Sequence, residues 1–316
     1  MMQDENGANR VPAGVCAVIG PDGVLAPGAS PAIVPWWSVT KTLIAAAVLR
    51  LAEQGRLALD EPLDGLPYSP RDLLQHRAGV GTYGGMAAYH DAVARGEDAW
   101  PEDALLARIP PDRLLFAPRA GWHYSNVGYL LLRRLIERHA GVSFGAAIRT
   151  LVLEPLGLAR SRLAETRADM DGTAFPGGHG YDPRWVYHGT IIGPAEEAAR
   201  ALHLILLGDL LSLGSRAAMR HPHPLGGAID GRPWVTTGYG LGLMIGTMRG
   251  RGMDAPVTVL GHSAGGPGSV GAVYHAPATG RTVAVFTAGD DDGATEADAL
   301  ALLLGETSRN PAPSRG

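Results

Sequence analysis

The chain has 316 residues, 46% of them apolar and 18% charged, which is enough for a sizeable core and excludes a disordered or low-complexity chain. With 27 basic against 31 acidic residues the formal net charge is −4, and no basic block occurs, so no nucleic-acid partner is expected. The single cysteine, Cys16, excludes an intrachain disulfide and a cysteine-based zinc site.

The opening "MMQDENGANR" is polar and acidic, so no signal peptide is expected and the chain is read as cytoplasmic. The most apolar stretches, "LIAAAVL" and "LHLILLGDLL", are too short to span a bilayer, and no membrane partner is expected. Val15 to Ile19 and Val24 to Ala26, joined by "GPDG", predict a hairpin. From Ser38 to about Gly55 the apolar spacing is helical. Ser69, Pro70 and Asp72 supply the cap, first position and box of a further helix start. Helical segments follow near 101–109, 127–139 (closed by Gly141) and 144–153, and 160–190 is Gly/Pro-rich and irregular. "GPAEEAARALHLILLGDLLS" restores a long helix. Beyond it "YGLGLMIGTM", "PVTVLGHS", "GSVGAVYHA" and "RTVAVFTAG" predict an antiparallel meander, and "ATEADALALLLGE" a closing helix. "HPHP", with His221 and His223, lacks partners at ligand spacing and reads as a loop, so no metal is expected. "GDDDG" reads as a solvated turn. The fold class is therefore α/β (α+β): one antiparallel sheet built from both chain ends and flanked by helices, with an inserted helical domain. Residues 1–60 with 190–316 form the predicted sheet domain and 61–189 the helical one, with the active site between them.

Two serines compete as nucleophile. Gly261-His262-Ser263-Ala264-Gly265 fits G-x-S-x-G, the strand-to-helix turn of α/β-hydrolases. That arrangement needs an acid and then a histidine downstream. The only later histidine, His275, precedes the acids Asp290 to Asp292, and "GGPGSVG" is no helix start. Ser38 and Lys41 in "SVTK" are three residues apart and share one face of a helix starting there. The helix N-terminus favours developing negative charge, and a desolvated lysine can take the serine proton. Lys41 is the only lysine, the other 26 basic residues being arginine. Arginine replaces lysine on a solvated surface but not where the amine must lose a proton.

Tyr124-Ser125-Asn126 stands just before another helix. With S-x-x-K at Ser38 and Lys41, this Y-S-N makes the chain resemble the serine β-lactamase and penicillin-binding protein superfamily, in its class C-like branch. "LLQHRAG", "YGLGL" and "LEPLGL" have counterparts there as well. The resemblance implies a β-lactamase-like fold and a serine hydrolase forming a Ser38 acyl-enzyme. It equally implies that His262-Ser263-Ala264 fills the third motif, with Ala264 standing where the family has glycine and crowding the strand beside the substrate. Lys41 and Tyr124 would share the proton transfers, with Tyr124 acidified by a nearby cation, Lys41 or His262. Asn126 would bind the substrate's flank and help fix Lys41, while His262, Ser263, Ala264 and Gly265 line the pocket. The backbone N–H groups of Ser38 and Gly265 would form the oxyanion hole. Ser125 is expected to cap its helix. Trp36, Trp37, Trp185 and Tyr187 fit either an acyl pocket or the core.

The implied partner is a small-molecule acyl substrate (ester, amide or lactam), with no cofactor. His262 in the place of the family's lysine favours small, apolar acyl substrates over carboxylate-bearing ones. The alternatives are a D-alanyl-D-alanine carboxypeptidase, a class C-like β-lactamase, and a non-catalytic binding member.

Overall fold

In the computed structural model, which describes residues 14–305, the alternating run near the start forms β1 (Val15–Ile19), followed by β2 (Ile33–Pro35). A 3-10 turn, Trp37–Val39, runs into α1 (Thr40–Glu53), whose first ten residues are all buried. Such a helix, apolar nearly all round, belongs inside the protein. The middle of the chain is helical: α2 (Pro70–Leu74), α3 (Ala87–Ala94), α4 (Glu102–Arg108), α5 (Asn126–Ala140) and α6 (Phe144–Ile148), the last extended by a π-type turn to Leu153. The irregular stretch then holds β3 (Arg162–Leu163) and α7 (Arg167–Asp171) before β4 (Ile191–Pro194), α8 (Ala195–Leu207) and α9 (Leu213–Met219). The remainder is β5 (His223–Gly226), β6 (Trp234–Tyr239), β7 (Met244–Met248), β8 (Val257–Gly266), β9 (Ser269–Ala276), β10 (Arg281–Ala288) and α10 (Asp292–Leu304).

Seven strands make one antiparallel sheet in the order β1-β10-β9-β8-β7-β6-β5, so the first strand closes on the last. A three-stranded sheet, β2-β4-β3, stands apart from it. Alternate residues of β10 point to opposite faces. Ala284 and Phe286 join the core with α1 and α8, while Val283 and Val285 meet Ala299, Leu300 and Leu303 of α10. Both faces of the central strands are therefore covered, and all eight residues of β9 are buried.

Local signals hold well. Ser69 accepts the Asp72 N–H and Asp72 accepts the Ser69 N–H, completing the capping box. Gly141 ends α5 in the left-handed conformation. Three expectations change. Val24–Ala26 forms no strand, because β1 takes β10 as partner and only an Ile19–Leu25 bridge remains of the hairpin. "YGLGLMIGTM" is not one strand but the end of β6, a turn and β7. His223, expected in a loop, begins the edge strand β5, paired to β6. "GDDDG" is a turn as expected, but Asp291 caps α10 and Asp292 lies within it. No helix among the described residues is long and apolar enough to cross a membrane. The opening stretch behind the expected location lies outside the described residues.

Candidate active site

Ser38 sits in the 3-10 turn, one residue after a strained backbone position. Trp37 has φ +41°, a left-handed value that side chains avoid. Three contacts hold it there. The Trp37 N–H donates to Thr190 Oγ1 at 2.9 Å, its indole N–H donates to Ser269 Oγ at 2.9 Å, and its ring lies against Gly266. A methyl on Gly266 would stand 2.5 Å from that ring, so the nucleophile turn and β8 approach as closely as glycine allows.

Around Ser38 Oγ the expected groups converge. Lys41 Nζ lies 3.1 Å away and the Tyr124 hydroxyl donates to the same oxygen at 3.1 Å. Lys41 is fully buried, and desolvation pushes its pKa well below the ordinary lysine value. A neutral amine has the lone pair a general base needs. Burial raises the Tyr124 phenol, which its bond to Ser38 offsets only in part. Tyr124 is placed by its neighbours: Ser125 caps α5 by accepting the Gly128 N–H at 2.8 Å and donates to the Gly81 carbonyl. The Ser125 N–H in turn donates to His76 Nδ1 at 3.0 Å, and the His76 ring stacks 4.3 Å from that of Tyr124.

The third-motif residues lie on β8. Strand β7 ends opposite Gly261, so from His262 onward that edge of β8 is left unpaired beside Ser38. His262 is buried, shares a 2.8 Å hydrogen bond with the Tyr239 hydroxyl, and is pushed down to about 3 by burial and by Lys41. It is neutral. Burial thus opposes positive charge at both groups expected to acidify Tyr124, and it raises the phenol itself. Ala264 is 3% exposed, and its methyl belongs to the core cluster behind the strand. Ser263 Oγ accepts from Arg232 at 2.9 Å.

Asn126 departs from expectation. Its backbone N–H donates to Thr82 Oγ1, its buried Oδ1 has no partner among the described residues, and no hydrogen bond joins it to Lys41. The second partner of the lysine is His188, whose Nε2 is 3.1 Å from Nζ. Nothing around His188 in the sequence, a single histidine in an irregular aromatic run, marks it. Arg232 is likewise unmarked. Its guanidinium makes a bidentate pair with Glu296, which is 0% exposed and also accepts from Trp234 and Tyr274. Of the four aromatics left open, only Trp37 reaches the site; Trp36, Trp185 and Tyr187 are buried elsewhere.

Ser38 and Gly265 stand where two cavities meet. One, of about 610 Å³, is walled by Tyr124, Trp122, Leu225, Trp234, Arg232 and Asp292. The other is a slot of about 90 Å³ between Trp37, Tyr83, Tyr89, Tyr181, Asn126 and His188. A groove of about 430 Å³ beside Trp100 and Arg133 is lined by Tyr187 but touches none of the catalytic or third-motif residues.

The family model described as "Beta-lactamase" matches residues 9–306. Esterase EstB of Burkholderia gladioli is 36% identical over 141 residues, 38% of this chain and 36% of its own. A penicillin-binding protein of Bacillus subtilis (strain 168) is 31% identical over 142 residues, 41% of this chain and 30% of its own. The chain thus spans about a third of the length of these curated relatives. In fold it is similar to a D-stereospecific amidohydrolase from Streptomyces, with TM-score 0.72, 23% identity, and 91% and 94% of the two chains covered.

Proposed function

Because the chain belongs to the Beta-lactamase family, we propose that it is a serine hydrolase cleaving esters or amides through an acyl-enzyme on Ser38. The observation that carries this reading is the convergence of Lys41 Nζ and the Tyr124 hydroxyl on one serine oxygen, each at 3.1 Å. Lys41 takes the Ser38 proton as Oγ adds to the carbonyl carbon, and the N–H groups of Ser38 and Gly265 bind the oxyanion. Tyr124 protonates the departing oxygen or nitrogen as its bond to the acyl carbon breaks, and recovers a proton from the Lys41 ammonium. Water then attacks the acyl-enzyme along the same proton route in reverse, releasing the acid and Ser38.

The two cavities orient the substrate. Tyr124, the proton donor, lines only the large one, so the leaving group lies there and the acyl substituent enters the aromatic slot. The slot's size favours a short acyl chain. Among the described residues lining the large cavity, the acidic and basic side chains other than His262 are Asp292 and Arg232, of opposite sign. Arg232 is also matched by Glu296, and His262 is neutral. Among the described residues no unmatched cation lines that cavity, which favours neutral esters or amides over penicillins and D-alanyl peptides.

Labelling with a fluorophosphonate, followed by intact mass, tests the nucleophile. One adduct is expected, absent in Ser38→Ala and retained in Ser263→Ala; the reverse pattern, or no adduct, overturns the reading. In a parallel panel, p-nitrophenyl acetate should turn over faster than p-nitrophenyl octanoate and faster than nitrocefin.

A further inference from the structure

We infer that His188 is a positioning residue for the general base: its Nε2 accepts one N–H of Lys41, which turns the amine's lone pair toward Ser38 Oγ. The inference rests on Lys41 acting as that base. A neutral amine at the end of a lysine has three staggered settings about its last bond, and only one aims the lone pair at a given atom. An acceptor on a second side removes the setting in which the lone pair faces it, and the Ser38 hydroxyl proton chooses between the two that remain. His188 Nε2, 3.1 Å from Nζ, is the only hydrogen-bond partner of the amine besides Ser38 among the described residues.

The surroundings leave no other group for the task. Tyr124 and Tyr129 present ring faces to Nζ, 4.9 and 5.5 Å from their centroids. The remaining titratable neighbours, His76 and His262, couple to Lys41 only through space. No carboxylate bonds to the amine among the described residues. Burial disfavours the charged ring, and in the tautomer protonated at Nδ1 the Nε2 atom has a lone pair to offer. A histidine buried for structural reasons normally satisfies both ring nitrogens. Here Nδ1 has no partner among the described residues, and the ring's one hydrogen bond goes to the amine.

The chain around His188 is tied to the residues that carry the nucleophile and base. Thr190 Oγ1 accepts from the Trp37 N–H, and the Ile191 N–H donates to Thr40 Oγ1 at 3.0 Å. On the other side the Tyr187 carbonyl accepts from Arg133 at 3.0 Å. Gly189 makes the intervening turn at φ +87°, with Leu163 and Phe144 2.9 Å from where a Cβ would stand. The imidazole is therefore registered against Lys41 by backbone clamps on both sides.

The test is the pH profile of kcat/KM on p-nitrophenyl acetate for the wild-type protein, His188→Ala, His188→Gln and Lys41→Ala, with thermal melts on each. In His188→Ala the rate near pH 7 should fall at least about tenfold, mainly through kcat. Water entering the vacated space resolvates the amine, so the acidic limb should move up by about one pH unit. His188→Gln keeps a side-chain acceptor and should recover part of the rate and of the limb. An acidic limb unmoved in both His188 variants, while Lys41→Ala is inactive, overturns the inference and leaves the Ser38–Lys41 reading intact. Should His188→Ala not fold, His188→Gln decides alone: a limb displaced part of the way upward supports the inference, and a wild-type limb overturns it. Activity retained in Lys41→Ala overturns the reading beneath it.

Discussion

Lys41 is a charged residue type held where charge is unfavourable: fully buried, beside the Ser38 and Tyr124 hydroxyls, with no carboxylate bonded to it among the described residues. Its folded pKa is depressed, so between that value and the ordinary one near 10.5 the folded chain binds fewer protons than the unfolded chain. The residue therefore subtracts from stability at neutral pH, and the penalty fades as pH rises toward 10.5. Lys41→Met is expected to abolish hydrolysis yet raise the melting midpoint at pH 7 by about 2–4 °C. Melting curves at pH 7 and pH 10 check this: the gain should shrink at the higher pH. A lower midpoint at pH 7 would show the amine to be a net stabiliser. Tyr124 completes the residue-scale account, because the same burial that frees the lysine's lone pair keeps the phenol protonated and makes it a donor.

At the scale of elements, the site is a contact between one turn and one strand edge. The left-handed Trp37 costs about 1–3 kcal/mol, and the contacts to Thr190, Ser269 and Gly266 hold it in place. Gly266→Ala would push the indole, and Ser38 with it, away from β8. A displacement near 1 Å at the nucleophile typically costs about 100-fold in rate. We expect kcat/KM to fall by that order while far-ultraviolet circular dichroism stays unchanged. Gly265→Ala is the control for folding, since its added methyl meets only Val270, at 3.6 Å. An active Gly266→Ala protein would mean that the turn holds its shape without the strand.

At the scale of the whole molecule, the sheet joins the first described strand to the last. The sheet closes β1 onto β10, and α10 at the end of the chain covers the face opposite α8. From α10, the buried Glu296 fixes Arg232 in the wall of the large cavity, and Arg232 in turn holds Ser263 of β8. Removing one member of a buried ion pair leaves the other uncompensated, at a cost of about 3–5 kcal/mol. Glu296→Ala should lower the unfolding free energy obtained from urea titration by that amount, and the midpoint with it, with Glu296→Gln between it and the wild type. A midpoint unchanged in Glu296→Ala would show that the last helix contributes little to the cavity wall.

The amino-acid order alone determined the short-range parts: the Ser38–Lys41 spacing, the Tyr124 to Asn126 turn capped by Ser125, the Ser69–Asp72 box, and the strand and helix runs of the second half. The caps and helices are written in contacts between residues three or four apart and the strands in alternation along the chain, where local geometry leaves few choices. His188, Arg232 and Glu296 were not legible, nor was the failure of Asn126 to reach the lysine. His188 lies 147 residues from Lys41, and Arg232 lies 64 from Glu296. Only the course of the chain between sheet and helices brings such pairs together. The protonation of Lys41, Tyr124 and His262 was decided at the same level, because it follows from how much water the folded core excludes rather than from any residue's identity.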